Sequence, residues 1–288
     1  MKLIKILNSI VILLLVSACA SKQSSDSIRT MLVAPAEVNY KVELTLAKLN
    51  EYLNTTQLTR EQRAQFLYDR GVLYDSVGLK TLARIDFHQA LKLQPTLADA
   101  YNFLGIYYTQ DQAYSRAFEA FDAVLELQPN YEYAYLNRGL ASYYNDRNDL
   151  AVRDLRKFYQ INQKDGYRII WLYLAQSKVD EKSAMEKFKQ RRGELNDNHW
   201  DAKLIDLMLG KLTQEQMFIE SAQRLTYRNE MAERMCEVYF YTGKMEQIKG
   251  KHLLALDYFK LALSTNVYDF VEHRYSRLEL YKSLMALQ

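Results

Sequence analysis

A repeat of 34 residues is the feature that most restricts how this chain can fold. Three glycines recur at that spacing, at Gly71, Gly105 and Gly139. An alanine follows each glycine after twelve residues, and a large apolar residue follows the alanine after four more. These anchors, with the residues that close each repeat, are Ala83, Ala117, Ala151, Phe87, Phe121, Leu155, Pro95, Pro129 and Gln163.

This period and this set of anchors predict tetratricopeptide (TPR) hairpins, each made of two antiparallel helices. Small residues are required where the two helices approach most closely, and large apolar residues fill the space between hairpins. Proline cannot continue a helix, so Pro95 and Pro129 end the second helices. We predict three repeats over 64–165, with boundaries 64–97, 98–131 and 132–165.

Helix breakers are scarce and confined to predicted corners, which favours an all-α chain. The 288 residues include nine glycines and three prolines, and six of those glycines fall at TPR turn or close-packing positions. A repeat array can reach this length as one body. The predicted fold is therefore an all-α superhelix of TPR-type hairpins with capping helices at its N-terminal and C-terminal ends.

The repeat fades after residue 165 and then returns. Residues 166–235 predict degenerate helical hairpins, with Thr213 and Gln216 as a capping box. Gly243 and Phe259 restore the register in a C-terminal repeat over 236–269, and 270–288 predicts a capping helix.

An amphipathic helix is also predicted in the N-terminal segment 36–63. Val42, Leu46, Leu49 and Leu53 follow one another at spacings of four, three and four residues, which is a helical stripe. This stripe could pack on the first repeat as a cap, or on a second copy of the protein.

The first residues predict an export signal with a lipid attachment site. Lys2 and Lys5 precede an apolar core at 10–16, and the sequence VSAC at 16–19 reads as a lipobox. We therefore predict a signal peptide over 1–18, lipidation of Cys19, and a flexible tether over 19–35. Acyl chains at roughly 0.8 kcal/mol per buried CH2 would hold such a protein on a membrane.

Composition argues against nucleic acid as a partner. Removing Lys2 and Lys5 with the signal leaves 38 − 2 = 36 basic residues against 35 acidic ones, since 1–18 contains no acidic residue. A nearly neutral chain lacks the basic surface that nucleic-acid binding requires.

Catalytic and metal-binding motifs are missing from the sequence. There is no GxGxxG, P-loop, HExxH, CxxC or GxSxG pattern, and the four histidines are not at ligand spacing. Cys236 is expected to be a buried, inert thiol. Carboxylates such as Asp69 and Asp75 could be the acid and base of a glycosidase, but among 35 acidic residues such pairs on helical surfaces are expected by number alone. We predict no enzyme activity, no cofactor and no metal.

TPR arrays bind partners on the inner face formed by their first helices. In this chain that face is aromatic and mixed polar, without the Lys, Asn and Arg set that clamps a C-terminal carboxylate, and it suits a helical or extended peptide. The tyrosines could equally pack between hairpins. The predicted partner-binding groove consists of Tyr68, Val72, Asp75, Asn102, Ile106, Thr109, Gln110, Tyr133, Leu136, Leu140, Tyr143 and Tyr144.

Five stretches resemble one known family closely. They are RGVLYDS at 70–76, LGIY at 104–107, AFEAFD at 117–122, LNRG at 136–139 and FVEHRY at 270–275. Together with the lipobox they resemble the NlpI family of outer-membrane lipoproteins. The resemblance runs to about residue 280 and is weakest over 178–235.

The resemblance implies an adaptor without catalysis of its own, on the periplasmic face of the outer membrane. NlpI-like proteins are homodimers that bind the tail-specific protease Prc and present peptidoglycan endopeptidases such as MepS for degradation. They also scaffold other murein hydrolases with synthases. Ala20 after the lipidated cysteine agrees with the outer membrane by resemblance to sorted lipoproteins. The alternative is a TPR lipoprotein that assembles outer-membrane barrels or secretins.

Overall fold

A computed structural model describes residues 32–55 and 57–288, which contain fourteen α-helices and no strand. The predicted signal peptide, Cys19 and most of the predicted tether lie outside the described residues. The helices are α1 Tyr40–Thr55, α2 Arg60–Ser76, α3 Lys80–Leu93, α4 Ala98–Gln110, α5 Tyr114–Leu127, α6 Glu132–Tyr144, α7 Asn148–Ile161, α8 Gly166–Ser177, α9 Glu181–Arg192, α10 Trp200–Met208, α11 Gln214–Ser221, α12 Glu230–Ile248, α13 His252–Ser264 and α14 Val271–Met285.

The helices pair into hairpins as the repeat predicts. Helices α2 to α9 form four consecutive hairpins, and α12 with α13 forms a fifth, while α10 and α11 lie between them in the chain. The second helices of the three repeats end at Leu93, Leu127 and Ile161, which are 34 residues apart. Because α7 ends in register without a proline after it, proline is not needed to stop this helix.

The regular spacing of the glycines is explained by close contact between each of these glycines and a large apolar side chain. A Cβ atom added to Gly105 would lie 2.5 Å from Cε1 of Phe121, which is sixteen residues later on α5. The corresponding distances are 2.7 Å from Gly71 to Phe87 and 2.8 Å from Gly243 to Phe259. No larger side chain fits at these places, so the predicted close approach of the two helices is confirmed.

A partly buried ion pair joins the two helices in the first repeat and again in the third. Arg70 donates two hydrogen bonds of 2.7 Å to the carboxylate of Asp86, and Arg138 binds Asp154 in the same two-pronged way. The second repeat has Leu104 at the arginine position. One position of the repeat therefore accepts either a bidentate ion pair or an apolar contact.

The predicted N-terminal stripe is only partly covered. Leu49 and Leu53 on α1 are buried, and Leu53 packs in a cluster with Leu67 and Ala90 of the first hairpin. In the first half of α1, Val42 and Leu46 of the stripe are half-buried, and Leu44 beside the stripe is exposed. The second half of α1 therefore packs on the first repeat as a cap, which was one of the two alternatives for this stripe.

Helix α2 begins earlier than the first repeat boundary at 64. Thr59 and Gln62 form a capping box at its start, before the first repeating anchor. The predicted capping box of Thr213 and Gln216 is present at the start of α11.

We predict that Gly105→Ala destabilises the protein by about 1–3 kcal/mol, because the ring of Phe121 must move to admit the added methyl group. The free energy of unfolding, measured by urea denaturation, checks this. Glu119→Ala on the facing helix is the control, since Glu119 is exposed and its loss should change stability by less than about 0.5 kcal/mol. Equal stability of the two variants would contradict the packing described for this glycine.

Candidate functional site

The predicted groove residues lie on the first helices of the three repeats, but most are not open to solvent. Tyr133 is 52% exposed, and Tyr68, Val72 and Gln110 are half-buried. The other eight, all buried, are Asp75, Asn102, Ile106, Thr109, Leu136, Leu140, Tyr143 and Tyr144. In this conformation the buried members offer no surface to a partner, and their role in partner binding stays a prediction.

Neighbouring repeats account for part of this burial. The amide of Asn137 donates to the side-chain oxygen of Asn102 over 2.9 Å, which joins α6 to α4. Within the second repeat, Tyr131 donates to Asp99 over 2.6 Å. Asn102 of the predicted groove therefore packs against the next hairpin.

The last helix, α14, also buries predicted groove residues, because it runs along the inner face formed by the first helices. Its buried residues are mostly polar, which is unusual for a helix packed into an interior. They are Glu272, His273, Arg274, Tyr275, Ser276, Leu278, Glu279 and Ser283. Such a helix depends on specific polar contacts rather than on an apolar stripe.

Asp75 is the first of these contacts. Its carboxylate accepts a hydrogen bond of 2.6 Å from Tyr107 on α4 and one of 2.5 Å from Nη2 of Arg274 on α14. All three side chains are buried. One carboxylate therefore connects the first repeat, the second repeat and the last helix across 199 residues of sequence.

A second buried ion pair holds the other half of α14. Nζ of Lys244 on α12 lies 2.6 Å from Glu279, whose side chain has no solvent exposure. Glu279 also accepts from Tyr144, and the Tyr144 ring stacks on Tyr275 at 4.8 Å. Burial opposes the charge of Lys244, but Glu279 and Tyr143 outweigh that effect and raise the pKa of Lys244.

Two carboxyl groups are buried where α12 faces the first turn of α14. Glu237 accepts a hydrogen bond of 2.5 Å from the indole of Trp200, and Glu272 accepts one of 2.5 Å from Tyr241. Burial, with the charge of Glu272, raises the pKa of Glu237 well above its ordinary value, and burial also raises the pKa of Glu272. Both are sealed from solvent, so no substrate reaches them in this conformation.

Cys236 lies next to this pair and is fully buried, with its thiol directed at the carbonyl oxygen of Ala262 over 3.7 Å. Burial raises the pKa of this thiol well above its ordinary value. A protonated, enclosed thiol is unreactive, which agrees with the expectation of an inert cysteine.

None of the described helices combines the length and the apolar character needed to cross a membrane.

Comparison with known proteins identifies one repeat directly. Residues 98–131 match the family model of the tetratricopeptide repeat, with the boundaries predicted for the second repeat. The fold is an all-α TPR-type superhelix. Arrays of this kind are typically non-catalytic surfaces for protein partners.

Among solved structures, the chain is similar to MamA, at 20% identity over 60% of this chain and 93% of MamA, with a TM-score of 0.46. It is similar to a tetratricopeptide repeat protein from Parabacteroides merdae, at 16% identity over 85% of this chain and 78% of that one, with a TM-score of 0.46. It is also similar to YrrB, described as a TPR protein with an unusual peptide-binding site, at 14% identity over 82% of this chain and 99% of YrrB, with a TM-score of 0.43.

Breaking the Lys244–Glu279 pair should destabilise the protein strongly. We predict that Glu279→Gln lowers the free energy of unfolding by about 3 kcal/mol, because the charge of Lys244 then has no compensating anion in the interior. Urea denaturation of Lys260→Gln, which breaks an exposed pair with Asp257, supplies the control and should show a change below about 1 kcal/mol. A Glu279→Gln variant as stable as this control would show that α14 is not held by the pair.

The buried carboxyl pair predicts a pH dependence of stability. A pKa raised in the folded state means that the folded protein holds its proton more tightly than the unfolded chain does. The stabilisation is complete below the unfolded pKa of about 4.3 and falls as pH rises toward the folded pKa.

Glu237→Gln keeps a hydrogen-bond acceptor for Trp200 and removes this titration. From about pH 5 to about pH 7 we expect wild type to lose up to about 1.4 kcal/mol per pH unit relative to Glu237→Gln. Urea unfolding at a series of pH values measures the difference, and parallel curves for the two proteins would contradict the assignment.

Proposed function

We propose that the chain is a non-catalytic TPR adaptor, anchored to the outer membrane through lipid on Cys19 and facing the periplasm. In this proposal it binds the tail-specific protease Prc and periplasmic peptidoglycan hydrolases. It thereby scaffolds murein synthesis and turnover, and directs the regulated proteolysis of endopeptidases such as MepS. The proposal combines the lipobox, the TPR array and the resemblance to the NlpI family.

The observation that carries the proposal is a contact between two of the stretches that resemble this family. The stretch at 70–76 contains Asp75, and the stretch at 270–275 contains Arg274, and these two side chains form a buried ion pair. Two stretches that carry the family resemblance therefore contact each other. This contact is expected if the resemblance to the NlpI family includes the packing of α14 against the first repeat.

A non-catalytic role is supported by the state of the carboxylates. Asp75, one of the groups weighed as an acid or base, is engaged by Arg274 and Tyr107 and is buried. The buried Glu237 and Glu272 are closed off from solvent. A glycosidase needs two carboxyl groups facing its substrate from opposite sides of the scissile bond, and these groups do not offer that arrangement.

The proposal includes a homodimer. The start of α1 and the residues just before it leave apolar and aromatic side chains uncovered, with Val38, Tyr40 and Leu44 each about half exposed or more. Tyr52 near the end of the same helix is also 45% exposed. A second copy is the occupant that the family resemblance implies for this face.

Crosslinking mass spectrometry on detergent-solubilised outer membranes tests the proposal. We expect wild-type protein to crosslink to a tail-specific protease and to murein hydrolases, and to itself through Lys41 and Lys48 of α1. The matched control is Cys19→Ser, which should be missing from the outer-membrane fraction although its fold is unchanged.

Two results would contradict the proposal. Cys19→Ser protein that stays in the outer membrane would refute the lipid anchor. Crosslinks to barrel-assembly or secretin subunits, without a protease or a murein hydrolase, would replace the adaptor function with an assembly function.

A further inference from the structure

A cleft of about 420 Å³ opens between the turn from α2 to α3 and the first half of α14. None of its lining residues belongs to α1. The polar side chains along it include Lys80, Gln110, Asp111, His273, Arg274 and Arg277.

The charges in this cleft do not balance. Arg274 is compensated by Asp75, and Asp111 pairs with Arg84 at 2.6 Å. Lys80 and Arg277 have no carboxylate within ion-pair distance in the described part of the chain. The positive charges of Lys80 and Arg277, on opposite walls of the cleft, are therefore not neutralised by an ion pair.

The backbone adds to this positive character. The cleft contains the first turn of α3, where the amide N–H groups of Lys80, Thr81 and Leu82 have no earlier turn to donate to. The residue before this turn, Leu79, supplies no side-chain cap. Unpaired amides and the helix dipole at this end both favour an anion.

Buried polar atoms without partners point to a ligand. Arg274 and His273 are only 8% and 6% exposed, and within the described residues neither Nη1 of Arg274 nor Nδ1 of His273 has a hydrogen-bond partner. Nε2 of Gln110 is also unpartnered there, although its side-chain oxygen accepts from Lys80 over 3.0 Å. Buried polar atoms are normally satisfied, so these atoms define unmet binding capacity.

The cleft offers an acceptor as well as donors. Nε2 of His273 lies 3.1 Å from the carbonyl oxygen of Leu263 and must donate to it, which leaves Nδ1 of the neutral ring as an acceptor. Burial lowers the pKa of His273 to about 4, so the ring is neutral near pH 7. An anion that also carries an N–H group can satisfy both kinds of atom.

Apolar side chains form the remaining walls. Leu79 and Leu82 stand at the mouth of the cleft and are 46% and 43% exposed, while Leu263 and Leu278 lie deeper. Inorganic phosphate would use the cations but none of this apolar surface. A terminal carboxylate, the peptide N–H next to it and an apolar last side chain together use all three features.

We propose that this cleft binds the C-terminal carboxylate of a peptide whose last side chain is apolar. Lys80, Arg277 and the amides at the start of α3 bind the carboxylate, His273 accepts from the last peptide N–H, and the leucines contact the side chain. This site borders the inner face that α14 covers, because Gln110 of the predicted groove and Arg274 also line the cleft. It needs neither the lipid anchor nor the partners named above, so failure of the crosslinking experiment leaves it standing.

Calorimetric titration of the folded protein with a synthetic acetylated tripeptide ending in leucine tests this site. The probe is used with a free carboxylate, with a carboxamide in its place, and alongside inorganic phosphate as a separate ligand. We expect the carboxylate to bind at least about tenfold more tightly than the carboxamide, since each hydrogen bond to a charged group contributes substantially.

Lys80→Gln and Arg277→Gln should each weaken carboxylate binding about tenfold without altering the melting temperature, because neither side chain is in an ion pair of the fold. Lys260→Gln removes an exposed positive charge from α13 and is the matched control, with unchanged affinity expected. Arg274 is left intact, since its loss would also break the contact with Asp75.

Three results would overturn the proposal. The first is equal binding of carboxylate and carboxamide. The second is phosphate binding more tightly than the peptide with the same dependence on Lys80 and Arg277, which would assign the cleft to phosphate groups. The third is the absence of heat at millimolar peptide.

Discussion

The buried ionic contacts of α14 are the constraint on which the rest of the structure depends. Charges taken from water into an interior are stabilised only when a partner stands within hydrogen-bond distance. Asp75 and Arg274 meet that condition at one point along the helix, and Lys244 with Glu279 meets it at another. The two pairs therefore fix α14 against α2 at one end and against α12 at the other.

This dependence separates the protein from a simple repeat array. In a solenoid each hairpin contacts only its neighbours, and stability is close to a sum of local terms. The contact between Gly105 and Phe121 is of that local kind. The contact between Asp75 and Arg274 is not, because it joins the first repeat to the last helix. The described array is thereby tied to its own C-terminal helix, which fills the face where TPR proteins generally hold a ligand.

The hairpins could be predicted from the sequence because each of their contacts repeats. A glycine and a phenylalanine sixteen residues apart form the same close approach in three hairpins, and such a period is visible without a structure. Helix ends could be predicted from the sequence where a capping box or a proline marks them. The boundary near residue 64 was missed by a few residues because the cap at Thr59 precedes the repeating anchors.

The state of the inner face could not be predicted, for a physical reason. The buried face of α14 is polar, with Glu272, Arg274 and Glu279 among its residues, so its sequence resembles that of a solvent-exposed helix. Only the partners on α2, α6 and α12 make that face suitable for burial, and they are distant in sequence. The residues of the predicted groove lie on first helices, and no pattern near them in the sequence indicates that most of them are buried.

Hydrogen–deuterium exchange of the peptide covering 271–283 tests the docking of α14 most directly. If α14 is held in the inner face by its two buried ion pairs, its amides should exchange as slowly as those of α4 and α6, through unfolding of the whole array. Rapid exchange of this peptide while α4 and α6 stay protected would show that the helix leaves the face freely, and would contradict the account.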